Sequence, residues 1–451
     1  MKLNLKKVRR EKLYFFLKCL LATKLFLIIS MLVFFNYYKD RKISHYNSLY
    51  YSKNLEIREI EKLFSKYYHS YNNFNFKEVN SELINSDKNN YKIKKFQTDL
   101  YFAKKIGKSS AYIDLDENNL YLATASGIFF QIDRKDLNKK KIYPKKLKTN
   151  INDFIKTDEF YLKSDFGIKD ILIDENNILV SFNNEVTKGC FNTGILKAKL
   201  NDNYLMFENF FNHQECKSKL KSKYGTFSVG QAGGRIIKYN NNYLLSHGSY
   251  SEFDEVQDDK SIFGKIILIS DDGKYLKNYS KGHRNPQGLA LLYNKKLLST
   301  EHGPNGGDEI NLVLEDKNYG WPIASYGSHY KGQKHVNKYY PLPRNHKNFE
   351  KPIFYFKKSI AISQIISITK KFDNSKQDKI FLASMKVNND YGEKINLFKF
   401  TLNNNKLILE EKIPINERIR DLIYDQKNNQ IIMFLDTSAS LAILKTDTLI
   451  N

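Results

Sequence analysis

The chain has 451 residues, of which 41% are hydrophobic and 14% aromatic, and this composition excludes a wholly disordered protein. Its formal net charge is +24, but the lysines are spread through predicted turns and strand ends. No helix-turn-helix, zinc-finger or RNA-binding signature accompanies them, which argues against nucleic acid as a partner. A basic protein still attracts anionic ligands and lipid surfaces.

Residues 1–40 predict a transmembrane helix. Six Lys and Arg residues lie within the first twelve positions, and an apolar stretch follows from Leu13 to Tyr38, most continuous over Leu25–Phe35. The basic flank predicts a cytoplasmic N-terminus and an exported, periplasmic remainder held at the membrane. No small-residue cleavage signal follows Phe35, which favours an uncleaved anchor over a removed signal peptide. A buried core helix is the alternative.

Residues 41–95 are predicted to form a stalk helix and a linker. Asn54–Tyr71 carries apolar residues at helical spacing between charged ones, which predicts the stalk helix. Tyr71–Lys95 is rich in Asn and Lys and predicts the linker. Strand-like sequence begins near Phe96, so the main folded domain is expected to occupy residues 96–451.

A two-strand unit recurs six times in that domain. Each copy is an apolar run, an Asp/Asn/Lys turn and a second, stronger apolar run. The copies lie at Tyr112–Thr124, Asp170–Phe182, Arg235–Ser246, Gly288–Thr300, Ile365–Ser384 and Asp421–Leu435. One hairpin cannot bury its own faces, so the recurrence predicts an all-β, six-bladed β-propeller. A pair of β-sandwiches is the alternative.

Three cysteines are present: Cys19 in the predicted anchor, and Cys190 and Cys216 in the predicted exported domain. An oxidising compartment would permit Cys190 and Cys216 to form a disulfide. Two free buried thiols are the alternative.

Two segments that flank the fourth hairpin concentrate residues suited to chemistry. Gly282–Ala290 read GHRNPQGLA, and Ser299–Val313 read STEHGPNGGDEINLV. The glycines and proline of the second segment predict an irregular loop whose oxygen atoms can point to one centre, as calcium requires. The candidate ligands are the carbonyls of Gly303 and Pro304 and the carboxylates of Asp308 and Glu309. A tight turn with solvated acids is the alternative.

Cationic residues at predicted loop ends suggest an anion site. Arg284 and Asn285 precede Pro286, and an Arg fork recognises a planar carboxylate or a quinone oxygen. Arg418 and Arg420 are two residues apart, so in a strand they would point to the same face. Each alone could be a solvated surface charge, but together they come from the loop ends of different blades.

Four motifs resemble the soluble glucose/sorbosone, or aldose sugar, dehydrogenases that use pyrroloquinoline quinone (PQQ). They are GHRNPQGLA, EHGPNGGDEIN, NYGWP at Asn318–Pro322, and RIRDL. The resemblance is most specific over Gly264–Trp321 and extends, more weakly, from about Gly167 to the C-terminus. It implies a six-bladed propeller in which calcium and a basic cage hold the quinone over the channel.

The resemblance also implies individual roles. Cofactor contacts would come from Arg284, Asn285, Lys386, Arg418 and Arg420, and calcium ligands from the carbonyls of Gly303 and Pro304. His302 would lie near the quinone, Asp308 and Glu309 would belong to the acidic part of the loop, and Trp321 would serve in packing.

The family pattern breaks at the catalytic base. The family has a His before a Gly-Gly-Arg or Ser-Gly-Arg turn, and an Asp orients it. Here the segment is GQAGGRI, so Gln231 occupies the His position, and Ser249 falls where the Asp belongs. Gln cannot act as a base near neutral pH. His247 and His302 are the candidate replacements.

Three readings follow. The first is a membrane-anchored, PQQ- and calcium-dependent dehydrogenase that passes hydride from a sugar C1 hydroxyl to the quinone, with an altered base and an unknown electron acceptor. The second is a non-catalytic propeller that binds a quinone, a sugar or a protein partner. In the third, the loops only stabilise the propeller.

Overall fold

The computed structural model describes residues 69–98, 110–201, 203–386 and 396–447. The predicted anchor at residues 1–40 and nearly all of the predicted stalk helix lie outside these residues. The chain divides into two compact units, Met1–Ile60 and Glu61–Asn451, and the described residues all belong to the second. Within them no helix is both long and apolar enough to span a bilayer.

The described residues form six sheets, which confirm the predicted all-β, six-bladed propeller. Blade one contains β3 (Ala111–Leu115), β4 (Asn119–Thr124), β5 (Phe129–Asp133), β7 (Lys145–Thr149) and β11 (Tyr204–Leu205). Blade two contains β8 (Ile168–Asp174), β9 (Asn177–Thr187), β10 (Cys190–Lys199), β12 (Glu208–Phe211) and β13 (Lys217–Ser218). Blade three contains β14 (Gly233–Tyr239), β15 (Asn242–His247), β16 (Lys265–Ile269) and β17 (Tyr275–Lys281).

The remaining three blades follow in chain order. Blade four contains β18 (Pro286–Leu291), β19 (Leu297–Glu301), β20 (Asp308–Leu312) and β21 (Phe354–Phe356). Blade five contains β22 (Ile362–Ile368), β23 (Lys379–Ser384), β24 (Asn396–Asn403) and β25 (Lys406–Pro414). Blade six contains β26 (Ile419–Asp425), β27 (Gln430–Leu435), β28 (Ser440–Thr446), β2 (Asn90–Thr98), β1 (Phe76–Asn85) and β6 (Lys141–Ile142).

Short helices occur in the loops between these strands. They are α1 (Glu159–Leu162), α2 (Asp254–Gln257) and the 3₁₀ helices Arg134–Asn138, Ile151–Phe154, Ser164–Phe166, Lys219–Lys221, Val229–Gln231 and Lys331–Lys338. Each of the six predicted hairpins coincides with the first two strands of one blade, β3–β4, β8–β9, β14–β15, β18–β19, β22–β23 and β26–β27. The turn between apolar runs was therefore a reliable sign of the two innermost strands.

The propeller begins earlier than predicted. Residues 76–98, expected to be mostly linker, form β1 and β2, and β2 pairs antiparallel with the C-terminal strand β28 from Tyr91↔Thr446 to Gln97↔Ser440. The N-terminal strands therefore complete blade six and close the ring. The Asn/Lys-rich composition concealed them because β1 is the outer strand and most of its residues are solvent-exposed.

The first strands of the six blades line the channel in ring order, β3, β8, β14, β18, β22 and β26. Aspartates on three of them accept hydrogen bonds from the backbone of the next blade. Asp421 accepts from Ile113 N at 2.9 Å, Asp114 from Ile173 N at 2.6 Å, and Asp170 from Ile236 N at 2.9 Å. These bonds fix the positions of blades six, one, two and three around the channel.

A disulfide joins Cys190 at the start of β10 to Cys216 beside β13, which confirms the predicted pairing. Hydrophobic side chains fill the spaces between blades, for example those of Tyr91, Phe381 and Leu444 between blades five and six.

Candidate functional site

The predicted site residues lie at one end of the channel. The start of β18 at Pro286 pairs with the end of β19 at Glu301, so the loops before inner strands and after second strands meet at one face. These loops or strand starts contain Gln231 before β14, Arg284 and Asn285 before β18, His302 after β19, Lys386 after β23, Arg418 before β26 and Arg420 within it.

Arg284 lies at the centre of this face and is only 6% exposed. Its Nη1 donates to the carbonyls of His302 at 3.0 Å and Gly303 at 2.9 Å, and its guanidinium lies over the Trp321 ring at 5.4 Å. Trp321 itself is buried among hydrophobic residues, in agreement with the packing role predicted for it. The Nε atom of Arg284 is buried without a hydrogen-bond partner. A buried charged donor of this kind is costly to leave unpaired, so it is suited to an acceptor from a ligand.

Asn285 connects blade four to blade three. Its side-chain oxygen accepts from Gly233 N at 3.2 Å, and its amide nitrogen donates to Gly230 O at 3.4 Å. In addition, Ser249 N donates to Arg284 O at 2.8 Å. These bonds place the Gln231 segment beside Arg284.

Arg418 and Arg420 both lie near Asp436, as expected for residues two apart on a strand. Arg420 Nη2 donates to Asp436 Oδ2 at 2.9 Å, and Arg418 Nε lies 3.9 Å from the same oxygen. Arg418 Nη1 also donates to Met385 O at 2.7 Å, next to Lys386. Asp436 raises the pKa of Arg420, whereas burial and then Arg420 lower the pKa of Arg418. Asp165 is a second carboxylate close enough to act electrostatically on both guanidinium groups.

His302 lies among these cations. Burial, and then Arg284, Arg420 and Arg418, lower its pKa to about 3. The imidazole is therefore neutral at physiological pH, and it also has a hydrogen bond with the Ile362 backbone.

The two positions predicted to break the family pattern are in contact. The Ser249 hydroxyl donates to the Gln231 side-chain oxygen at 3.3 Å, so the pair occupies neighbouring positions beside Arg284. Neither side chain ionises near neutral pH. His247 does not replace them, because it is fully buried between Gly248 O at 3.0 Å and Thr193 N at 3.2 Å. Burial lowers its pKa to about 3.

The Gly303–Gly307 segment forms the tight loop that was predicted. A Cβ atom at Gly303 would lie 2.2 Å from Gly306 O, and Gly307 adopts a φ of +70°, so neither position accommodates a larger residue without strain. The Gly303 carbonyl faces the Arg284 guanidinium. The described residues contain no cluster of three or more His, Cys, Asp or Glu side chains suited to a metal.

The two acids of this loop, predicted as calcium ligands, each bond to other parts of the protein. Asp308 is fully buried, and its carboxylate accepts from Gly303 N at 3.1 Å, the Ser359 hydroxyl at 3.0 Å and Ile360 N at 2.9 Å. Glu309 points to the opposite face of β20, where it lies 2.9 Å from His346 Nε2. Both carboxylates are committed to holding loops, and burial raises the pKa of each. In this arrangement both carboxylates have partners within the protein.

Residues 141–444 match the Glucose / Sorbosone dehydrogenase family, which is about two thirds of the chain. The chain belongs to this family. It is 32% identical over 173 residues to the aldose sugar dehydrogenase YliI of Escherichia coli (strain K12), an alignment that covers 34% of this chain and 45% of that protein. The matched segments span about half or less of the curated relatives.

Solved structures share the fold. A soluble aldose sugar dehydrogenase from Escherichia coli in the apo-form superposes with a TM-score of 0.59 at 21% identity, covering 82% of this chain and 99% of that one. The PQQ-bound aldose sugar dehydrogenase from Streptomyces coelicolor superposes with a TM-score of 0.54 at 16% identity, covering 75% and 93%. At these identities the likeness establishes the propeller fold of this glucose/sorbosone dehydrogenase family member.

Sequence reasoning did not predict the charged cluster below the mouth. Arg235, which follows the Gly-Gly turn, is 3% exposed and donates through Nη1 to Asp170 and Asp421, each at 2.8 Å. Burial raises the pKa of Asp170 to about 7 and that of Asp421, whereas Arg235 opposes both shifts. The signal was present in the sequence, since each aspartate lies in the first run of a repeat, but an isolated aspartate there is indistinguishable from a turn residue.

Proposed function

We propose that this glucose/sorbosone dehydrogenase family member is a membrane-anchored aldose sugar dehydrogenase that binds PQQ and calcium and oxidises the C1 hydroxyl of a sugar. The observation that carries the proposal is the convergence at one channel mouth of Arg284, Asn285, Arg418 and Arg420 around a neutral His302. These residues come from separate parts of the chain, before β18, after β19 and at the start of β26. One basic surface segment therefore does not explain the positive charge of the group.

The chemistry of these residues fits a cofactor that carries several carboxylates. Arg284 has a buried, unpaired Nε, and the Arg418 side chain is 40% exposed despite its contacts. Arginine forks bind carboxylate and quinone oxygens through two parallel bonds. A bound quinone would supply the hydride acceptor. Arg284 and Asn285 would orient it, and the two blade-six arginines with Lys386 would neutralise its charge.

Calcium has less support from this site. The carbonyls of Gly303 and Pro304 are candidate ligands, but Gly303 O already accepts a bond from Arg284, and the neighbouring carboxylates are committed elsewhere. A cation and a guanidinium would compete for the same oxygen. Calcium dependence is therefore a part of the proposal that titration must establish separately.

The proton-removing step distinguishes this chain from an ordinary member of its family. Gln231 and Ser249 occupy the base positions and cannot accept the hydroxyl proton at neutral pH. His302 is neutral, but its low pKa makes it a weak base in the free protein. An anionic ligand on the surrounding arginines would raise that pKa. The Gln231–Ser249 pair also favours a second candidate function, a propeller that binds quinone or sugar without turnover.

An exported location is proposed on two grounds. The basic, then apolar, N-terminal sequence suits a signal anchor, and the Cys190–Cys216 disulfide suits an oxidising compartment such as the periplasm.

The decisive experiment is titration of the purified full chain with PQQ, with and without calcium. Binding is detected as a change in absorbance and as a rise in thermal stability. We expect binding and stabilisation, and weaker binding in Arg284→Gln and Lys386→Met. Lys412→Met removes an exposed lysine from blade five and serves as the control. No spectral change and no stabilisation would refute cofactor binding. Dye reduction with a panel of aldoses then separates the two functions, because turnover above background excludes the non-catalytic one.

A further inference from the structure

A polar cavity of about 290 Å³ is lined in part by the Gly303–Gly307 loop. Its lining consists of Asn305, Gly306, Tyr326, Gly327, Ser328, Arg344, Lys357, Lys358, Ser359 and Lys386. Its volume is near the lower limit of small-molecule sites, about 300 Å³, and suits one sugar-sized ligand. Of the cationic residues at the proposed cofactor site, it shares Lys386 but not the three arginines.

The cavity is strongly cationic. Arg344, Lys357, Lys358 and Lys386 line it, and no Asp or Glu does. Asp308 approaches from behind Ser359, but that carboxylate already accepts bonds from the Ser359 hydroxyl and from backbone amides. The lining therefore supplies no carboxylate to balance the charges of Arg344, Lys357 and Lys386.

Several polar side chains of the lining are available to a ligand. Within the described part of the chain, no hydrogen bond or ion pair engages the side chains of Asn305, Ser328, Arg344 or Lys357. Together they offer amide, hydroxyl, guanidinium and ammonium donors. Such a set matches a sugar that has hydroxyl groups at one end and an anionic group at the other.

The cavity wall is held in place by its own contacts. Tyr326 stacks on Tyr355 with ring centroids 4.0 Å apart and on His346 at 4.9 Å. Asn305 and Ser328 exchange backbone hydrogen bonds of 2.7 and 3.2 Å, which tie the loop to the Tyr326 segment. A ligand would therefore meet a largely preformed surface, which reduces the entropy lost on binding.

We infer that this cavity binds the oxyanion of an acidic sugar, a carboxylate or a phosphate, so that the protein prefers uronates or sugar phosphates to neutral aldoses. The inference rests on the proposed function, because it names the substrate class of the same mouth. Gly306 lines the cavity, and the Gly303 carbonyl of the same loop bonds to Arg284, so the cavity and the candidate cofactor site share one loop.

The test is calorimetric binding of glucuronate, glucose 6-phosphate, glucose and inorganic phosphate to the full chain without cofactor. We expect at least one acidic sugar to bind about tenfold tighter than glucose, with an affinity that falls as salt rises. The double variant Arg344→Gln/Lys357→Gln should remove this preference. Lys351→Gln, an exposed lysine outside the cavity, should keep it. The two acidic sugars distinguish a carboxylate from a phosphate preference.

Three results would overturn the inference: glucose that binds as tightly as both acidic sugars, a preference unchanged in the double variant, or inorganic phosphate that binds as tightly as the sugar phosphate. A fourth is loss of acidic-sugar binding when PQQ saturates the protein, which would assign the cavity to the cofactor. PQQ binding without acidic-sugar preference refutes only this inference. Acidic-sugar binding without PQQ binding refutes only the cofactor proposal.

Discussion

Replacing Arg235 with Met should destabilise the propeller more than any surface change. The guanidinium pairs with Asp170 and Asp421 at 2.8 Å each, and its Nε donates to Gln287 O at 2.7 Å. Removing it leaves two carboxylates, 4% and 1% exposed, next to each other without a counter-charge. Breaking one buried ion pair in this way costs about 3–5 kcal/mol.

This loss in free energy of unfolding can be converted into a decrease in melting temperature, Tm. The unfolding entropy of globular proteins is about 2 cal/mol/K per residue, so a loss of about 4 kcal/mol lowers Tm by roughly 4 °C in a protein of this length. The assay is thermal unfolding at pH 8 and at pH 5, monitored by circular dichroism. Arg344→Met, which removes an exposed guanidinium, is the matched control.

The effect of Arg235→Met should depend on pH in a definite direction. Without the guanidinium, burial and mutual repulsion raise the pKa values of Asp170 and Asp421 further, so a fall in pH favours protonation of the pair and weakens the repulsion. The decrease in Tm caused by Arg235→Met should be greater at pH 8 than at pH 5. An unchanged Tm at pH 8, or equal losses at both pH values, would refute this account of the cluster.

Three further predictions concern the base, the channel and the disulfide. Gln231→His with Ser249→Asp should increase dye-linked sugar oxidation about 10²-fold or more, because a base and its orienter return to adjacent positions. Burial raises the pKa of Asp114 to about 7, so the folded protein holds a proton that the unfolded chain loses above about pH 4. Stability should therefore fall as pH rises from 4 to 7, and Asp114→Asn should flatten this dependence in urea titrations. Cys190→Ser removes a disulfide between residues 26 positions apart in sequence. It should lower the free energy of unfolding by about 3.5 kcal/mol, measured by urea unfolding.

Each of these has its own control. The single variant Gln231→His should give less activity than the double variant, and equal inactivity of both with PQQ bound would contradict the base argument. Glu117→Gln, an exposed carboxylate, should leave the pH profile of stability unchanged. Reducing agent should destabilise the wild-type protein as much as Cys190→Ser does, and should not affect that variant.

The sequence predicted the features that depend on short-range pattern. Apolar runs around polar turns located the two inner strands of every blade, and the family motifs located Arg284 and the Gln231–Ser249 pair. Features that depend on partners distant in the chain were missed. The polar outer strand β1 was interpreted as linker. The partners of Asp308 and Glu309 were also missed, because most of them, such as Ile362 N and His346, lie 37 to 54 residues away.

Closure of the propeller ring also depends on residues that are far apart in sequence. Pairing of Tyr91 with Thr446 joins the first and last parts of the propeller, so the ring is not complete until the final strand has been synthesised. Contacts of such long sequence separation require the chain to close a large loop, which slows folding. The propeller therefore stays open through most of synthesis, and β2 lacks its partner strand until β28 has left the ribosome.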